Sequence, residues 1–171
     1  MWDMRFIQLC DTVATWSKDP SRQVGSCIVD SRKRVISVGY NGFPTGVHDY
    51  EDRYTSRETK LLFVCHAERN ALDNSPSSVE GATLYSTLFP CNECVKSIIQ
   101  RGIKRVVTLS PDNPRNALFN FDVSRIMLSE ANVEVSEYFY HDYERWKNGT
   151  HEGIYPLAAT PVGDEYQIHK D

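Results

Sequence analysis

The stretch TLFPCNECVKSII, Thr87–Ile99, places two cysteines three residues apart, directly behind a proline. The apolar spacing that follows is helical, and Pro90 suits the first turn of a helix. Cys91 and Cys94, at i and i+3, then share one helical face, and both sulfurs can reach one ion. The partial positive charge of a helix N-terminus favours the thiolates that a metal needs. Taken alone the pair leaves a disulfide, a redox couple, a metal site and two inert buried thiols open. Further upstream, CHAERNAL puts His66 at a second helix start, with Glu68 two residues on. One histidine and two cysteines are three protein ligands. That is the pattern of catalytic zinc, with the fourth tetrahedral position left to water, whereas structural zinc is closed by four. Glu68 is not needed as a ligand and is placed to take up and return a proton. An interaction domain held together by zinc is the rival of another class; it would want a fourth protein ligand and no carboxylate at 68.

The chain has 171 residues and fits one domain able to bury a core without staples. Its net charge of −4 argues against DNA or tRNA as the main partner, since binders of polyanions carry a basic face. A small anionic ligand stays possible. No apolar run approaches the ~20 residues of a membrane span, and MWDMRFIQLCDTVATW is amphipathic rather than signal-like. The reading is a cytoplasmic protein with reduced thiols, in which Cys10, Cys27 and Cys65 act as small buried hydrophobes.

Working outward, Phe6, Leu9, Cys10, Val13, Ala14 and Trp16 recur at helical spacing. VGSCIVD and RVISVGY flank a polar turn and read as a β-hairpin. A polar loop is expected from Asn41 to Glu58, then a helix from Cys65 to about Asn74 and a strand in ATLYSTL. A helix from Cys91 to Arg101 stops at Gly102 and leads to the strand KRVVTL. After the loop SPDNPRNA come a helix over Val123–Glu130 and the strand VEVSEYF. Strands alternating with helices, begun by an antiparallel hairpin, predict an α/β fold with one mixed sheet. Residues 1–140 form the domain in this reading, and 141–171 an extension or arm.

H-x-E followed by P-C-x-x-C is the signature of zinc deaminases, in which hydroxide generated at the metal attacks the amine-bearing ring carbon of cytosine or adenine. Together with DPSRQVGSCIVD, VGYNGFPTGVHD and ANVEV, these motifs resemble the deoxycytidylate deaminases over about Trp2 to Val135. The resemblance implies a cytidine deaminase-like three-layer α-β-α sandwich with a five-stranded mixed sheet. It implies hydrolysis of dCMP to dUMP and ammonia, feeding dTMP synthesis, with one Zn2+ held by His66, Cys91 and Cys94 and Glu68 moving the protons. By the same resemblance Asn41 lies against the substrate, the Ala67 amide faces the pyrimidine carbonyl, and main-chain oxygens near Ser86 and Leu88 receive the amine. Asn41 read on its own could equally supply turn geometry. Phosphate contacts are expected at the loop mouths, from Ser21, Arg22, Gln23 and Ser110.

The family typically works as a hexamer, activated by dCTP with Mg2+ and inhibited by dTTP. If that carries over, Gly39, Tyr40, Asn41, Gly42 and Phe43 contribute to the effector site, joined by Arg53 and Arg57. Many members place a tyrosine after the strand that follows the zinc motif; here Arg115 of SPDNPRNA, or Phe119 just after it, would have to serve instead. Related zinc deaminases acting on dCTP, on deoxycytidine or cytosine, or on tRNA adenosine are the alternatives within the superfamily.

Overall fold

Alternation of side chains along the strands sorts the core into two halves, one on each face of a single sheet. In β1 (Gly25–Val29), Cys27 and Val29 join one buried cluster and Ile28 the other. In β3 (Thr83–Ser86), Tyr85 and Leu84 divide the same way, as period two requires. The computed structural model describes residues 1–110 and 120–157. Its five strands run in the order β2-β1-β3-β4-β5, with β2 at Val35–Tyr40, β4 at Arg105–Ser110 and β5 at Glu134–Phe139. β1 pairs antiparallel with both β2 and β3, while β3, β4 and β5 are parallel, so the sheet is mixed as expected.

One face is covered by α1 (Trp2–Ala14), whose Met4, Phe6, Ile7 and Cys10 pack with Tyr85, Val107 and Leu109. The other is covered by α4 (Ala67–Asp73), α5 (Asn92–Gln100) and α6 (Phe121–Glu130), through Ala71, Leu72, Val95, Ile98 and Leu128. The result is a three-layer α/β sandwich. None of the described helices is long and apolar enough to cross a membrane.

Two local differences from the sequence reading have physical causes. Helix α1 ends at its cap Thr15, so Trp16 falls past the last turn; it is 55% exposed and meets Tyr40 edge-on. The stretch expected as a loop up to Glu58 contains α2 (Asp52–Thr55) and the start of α3 (Arg57–Phe63). Neither helix has a buried residue, so no apolar stripe marks them; Ser56 caps α3 by accepting from the Thr59 amide. Beyond residue 140, α7 (Tyr140–Lys147) docks beside α1, with Tyr143 fully buried and its hydroxyl donating to Asp11 at 2.8 Å.

The approach of α4 to β2 depends on Gly39. A Cβ there would stand 2.3 Å from the Ala71 nitrogen and 2.5 Å from the Ala67 carbonyl oxygen. Only glycine lets the helix backbone lie this close to the strand.

Candidate active site

The N-termini of α4 and α5 meet over β3. His66 is the N-cap of α4 and Cys91 that of α5, and both have extended backbone there. His66 Nδ1 lies 3.3 Å from Cys91 Sγ and 3.4 Å from Cys94 Sγ, and the three donor atoms all fall within 4.8 Å of one another. Bonds of about 2.0–2.1 Å to nitrogen and 2.3 Å to sulfur at a tetrahedral ion put N and S about 3.5 Å apart, so the set has the spacing and softness that zinc takes. It is the one such cluster among the described residues. The hydrogen bond with Cys91 raises the His66 imidazole to about 8. Hydrogen bonds from Cys94 and then from His66 hold the Cys91 thiol down at about 4, whereas the bond to Cys91, together with burial, pushes Cys94 up.

Glu68 sits one residue inside α4 and is 3% exposed. Burial raises its carboxyl above the ordinary carboxylate range. Ser86 at the end of β3, itself fully buried, donates its hydroxyl to Glu68 Oε1 at 3.0 Å. Hence β3 orients a carboxylate carried by α4.

His66, Glu68 and Cys91 line a cleft of about 850 Å3, its open mouth included, with Ala67, Leu88 and Phe89 beside them; Cys94 and Ser86 lie behind this lining. One wall is the segment from Asp19 to Val24, including Ser21 and Arg22; the facing wall is α3, with Arg57, Lys60 and Leu61. Asn41 also lines the cleft, but its carboxamide braces the wall: Oδ1 accepts from the Val24 amide at 2.8 Å and Nδ2 donates to the Arg22 carbonyl at 2.9 Å. Gln23 donates to the Ser17 carbonyl, and neither Gln23 nor Ser110 is among the lining residues.

Of the residues expected at an effector site, Gly39 is buried against α4 and Gly42 pairs with Cys65. Phe43 stacks between Tyr54 and Phe63, with Arg53 over Phe63, while Tyr40 is 40% exposed. Arg115 and Phe119 lie outside the described residues. Cys10 and Cys27 are fully buried as expected and Cys65 half-buried.

Sequence reasoning missed Asp19 and Lys60. They pair across the cleft at 3.2 Å, with side chains only 6% and 12% exposed. Asp19 appears in the sequence only within DPSRQVGSCIVD, and Lys60 falls between the expected loop and the expected helix; nothing local joins residues 41 apart.

Comparison with known proteins fits this geometry. The family profile described as "Cytidine and deoxycytidylate deaminase zinc-binding region" matches residues 1–110. A deaminase of Aliivibrio fischeri is 41% identical over 139 residues, covering 79% of this chain and 92% of that one. The human deoxycytidylate deaminase is 46% identical over 115 residues, which are 64% of this chain and 65% of the human one. Among solved structures, the dCMP deaminase of cyanophage S-TIM5 in complex with dCMP and dUMP superposes with a TM-score of 0.60 at 28% identity. That match covers 78% of this chain and 93% of the phage chain.

Proposed function

The chain belongs to the cytidine and deoxycytidylate deaminases, and from that premise we propose that it hydrolyses dCMP to dUMP and ammonia, feeding dTMP synthesis in the cytoplasm. The observation that carries this reading is a His-Cys-Cys donor set beside a buried, hydrogen-bonded Glu68, at a cleft also lined by Arg22, Arg57 and Lys60. Two relatives carry the substrate into the proposal: the human enzyme named for deoxycytidylate and the phage enzyme solved with dCMP and dUMP.

His66, Cys91 and Cys94 would hold a zinc ion, which would supply a Lewis acid able to activate water near neutral pH. The protein does the rest. Glu68 accepts a proton from the attacking water as the water oxygen bonds to the amine-bearing ring carbon, and delivers it to the ring nitrogen; it then takes the second proton from the hydroxyl on that carbon and hands it to the exocyclic amine as the carbon–nitrogen bond breaks. Carbonyl oxygen replaces amine, and ammonia leaves. Ser86 keeps the carboxylate in one orientation through these transfers. Ala67, Leu88 and Phe89 line the cleft; in this reading the Ala67 amide faces the pyrimidine carbonyl, main-chain oxygens near Ser86 and Leu88 receive the amine, and Phe89 adds an apolar wall. Ser21 and Arg22 remain the expected phosphate contacts from one wall, and Lys60 and Arg57 join them from the other.

Regulation belongs to the same proposal: a hexamer in which dCTP with Mg2+ activates and dTTP inhibits. Its support is the family resemblance and the exposed side of the loop around Tyr40, Phe43 and Arg53. Sigmoidal dCMP saturation that turns hyperbolic with dCTP and Mg2+, and falls with dTTP, is the expected behaviour. Rates that superimpose with and without both nucleotides would remove the regulatory part.

The test of the activity is ammonia release from cytosine, deoxycytidine, dCMP and dCTP by zinc-loaded protein. A preference for dCMP over deoxycytidine of at least ~100-fold in kcat/KM, about 2.7 kcal/mol, is expected. Equal rates on the two would move the enzyme to nucleoside substrates.

A further inference from the structure

Phe89 borders the cleft, next but one in the chain to the metal ligand Cys91, and its ring is otherwise enclosed, with 1% of the residue exposed. The Arg125 guanidinium of α6 lies over the face of that ring, 4.1 Å from its centroid, and Phe121 meets it edge to face at 5.5 Å. Arg125 is itself fixed. Its Nη1 donates to Glu137 Oε2 at 2.6 Å and its Nη2 to Glu137 Oε1 at 3.0 Å, and the Glu137 carboxylate is buried. Glu137 belongs to β5 and pairs with Thr108 of β4, so the guanidinium is tied to the parallel half of the sheet.

A largely buried ion pair is weak support for a fold, since apolar residues of similar volume commonly do as well. What this pair supplies is direction. A planar fork bound at both prongs presents its face to a ring in one orientation. Little slack separates the ring from the metal ligand: Pro90 has a fixed φ and disfavours helical backbone at Phe89, and Cys91 follows as the N-cap of α5. A shift of Phe89 is therefore passed on to Cys91, with few torsions to absorb it.

We infer that Arg125 is a positioning residue for the deamination: paired with Glu137, it holds Phe89, and through Phe89 and Pro90 it fixes the place of the Cys91 sulfur. The inference rests on the metal-dependent reading above, and the experiment separates the two. Wild type, Arg125→Met, Arg125→Lys, Glu137→Gln, Phe89→Leu and the double variant Arg125→Met/Phe89→Leu are loaded with zinc for kcat, KM and Tm. They are also loaded with cobalt(II), whose visible and thiolate charge-transfer bands report the geometry of the ligand set. Met127→Ala, on the same helix and packed against the same core, is the control for a purely structural loss.

Arg125→Met should lose on the order of tenfold in kcat for dCMP, short of the ~10²-fold of a 1 Å misplacement, with KM little changed and the cobalt bands displaced. Arg125→Lys keeps the cation without the fork and should fall between it and wild type. Glu137→Gln should change in the same direction, and it carries the test if Arg125→Met does not fold. The kcat losses of Arg125→Met and Phe89→Leu should not add in the double variant, because the first acts through the second. Met127→Ala should lower Tm and leave kcat and the cobalt bands in place. Additive losses, cobalt bands unmoved in the Arg125 and Glu137 variants, or a Met127→Ala enzyme changed to the same extent overturns the inference while the metal reading stands. If cobalt-loaded wild type shows no thiolate band, the metal reading falls and the inference with it.

Discussion

Substituting Gly39 by alanine tests how tightly the catalytic floor is tied to the sheet. The new methyl would meet backbone atoms of α4, not the end of a flexible side chain, at 2.3 Å from Ala71 N and 2.5 Å from Ala67 O. Ordinary contact is restored only if α4 backs away from β2 by about 1 Å. Helix α4 is seven residues long and is capped by His66, with Glu68 its second residue, so it has no length in which to absorb the shift. Overpacking of this kind costs about 1–3 kcal/mol. For a domain of this size each kcal/mol lowers Tm by about 2–4 °C. A misplacement of about 1 Å at the reacting groups costs on the order of 10²-fold in rate. The assay is thermal melting, zinc content and kcat/KM for dCMP on one preparation. Gly39→Ala with wild-type Tm and turnover would refute the packing argument. If the same variant lost only its response to dCTP, Gly39 would be the effector residue that the resemblance implies.

Glu68→Gln should bind about one zinc per chain and keep the hydrogen bond from Ser86, yet lose roughly 10²–10⁴-fold in dCMP turnover, because the ligands stay and the proton carrier goes; near-normal ammonia release would sink the mechanism. Cys94→Ser or His66→Ala should instead lose the metal, read by atomic absorption after gel filtration. On the other face of the sheet, burial pushes the Asp3 carboxyl up, but hydrogen bonds from Arg105, Tyr138 and Tyr85 outweigh it and hold the group below its ordinary 3.8. Asp3 therefore stabilises the fold above that value, and the contribution disappears as pH falls through the depressed one. Urea midpoints should drop between pH 5 and pH 3, and Asp3→Asn should flatten that drop while lowering stability at pH 7.

What could be read from the chain was whatever local spacing dictates. The i, i+3 cysteines behind Pro90 and the H-x-E at a helix start are short-range patterns, and the fold needed only to bring two helix ends together. β1 to β5 were legible because β-branched and aromatic runs sit between turn residues. Two kinds of feature were not. Helices α2 and α3 have no buried face, so hydrophobic periodicity says nothing about them. Asp19 and Lys60 are ordinary surface residue types, and their meeting is a product of tertiary structure. Asn41 shows the mixed case: its position at the cleft followed from the motif, whereas the use of its amide to brace Val24 and Arg22 is visible only in three dimensions.

Strand β3 separates the metal ligands along the chain: His66, with the proton carrier Glu68 close behind, precedes it and the two cysteines follow. A nascent polypeptide emerging N-terminus first thus offers a histidine and a proton carrier well before it offers sulfur. Even with Cys94 synthesised, β3 must settle beside β1, antiparallel, before the caps of α4 and α5 face each other. Zinc capture then reports that the hairpin half and the parallel half of the sheet have joined. Metal stoichiometry in a stalled or truncated chain becomes a clock for assembly, and it should stay at zero until the sheet closes across β1 and β3.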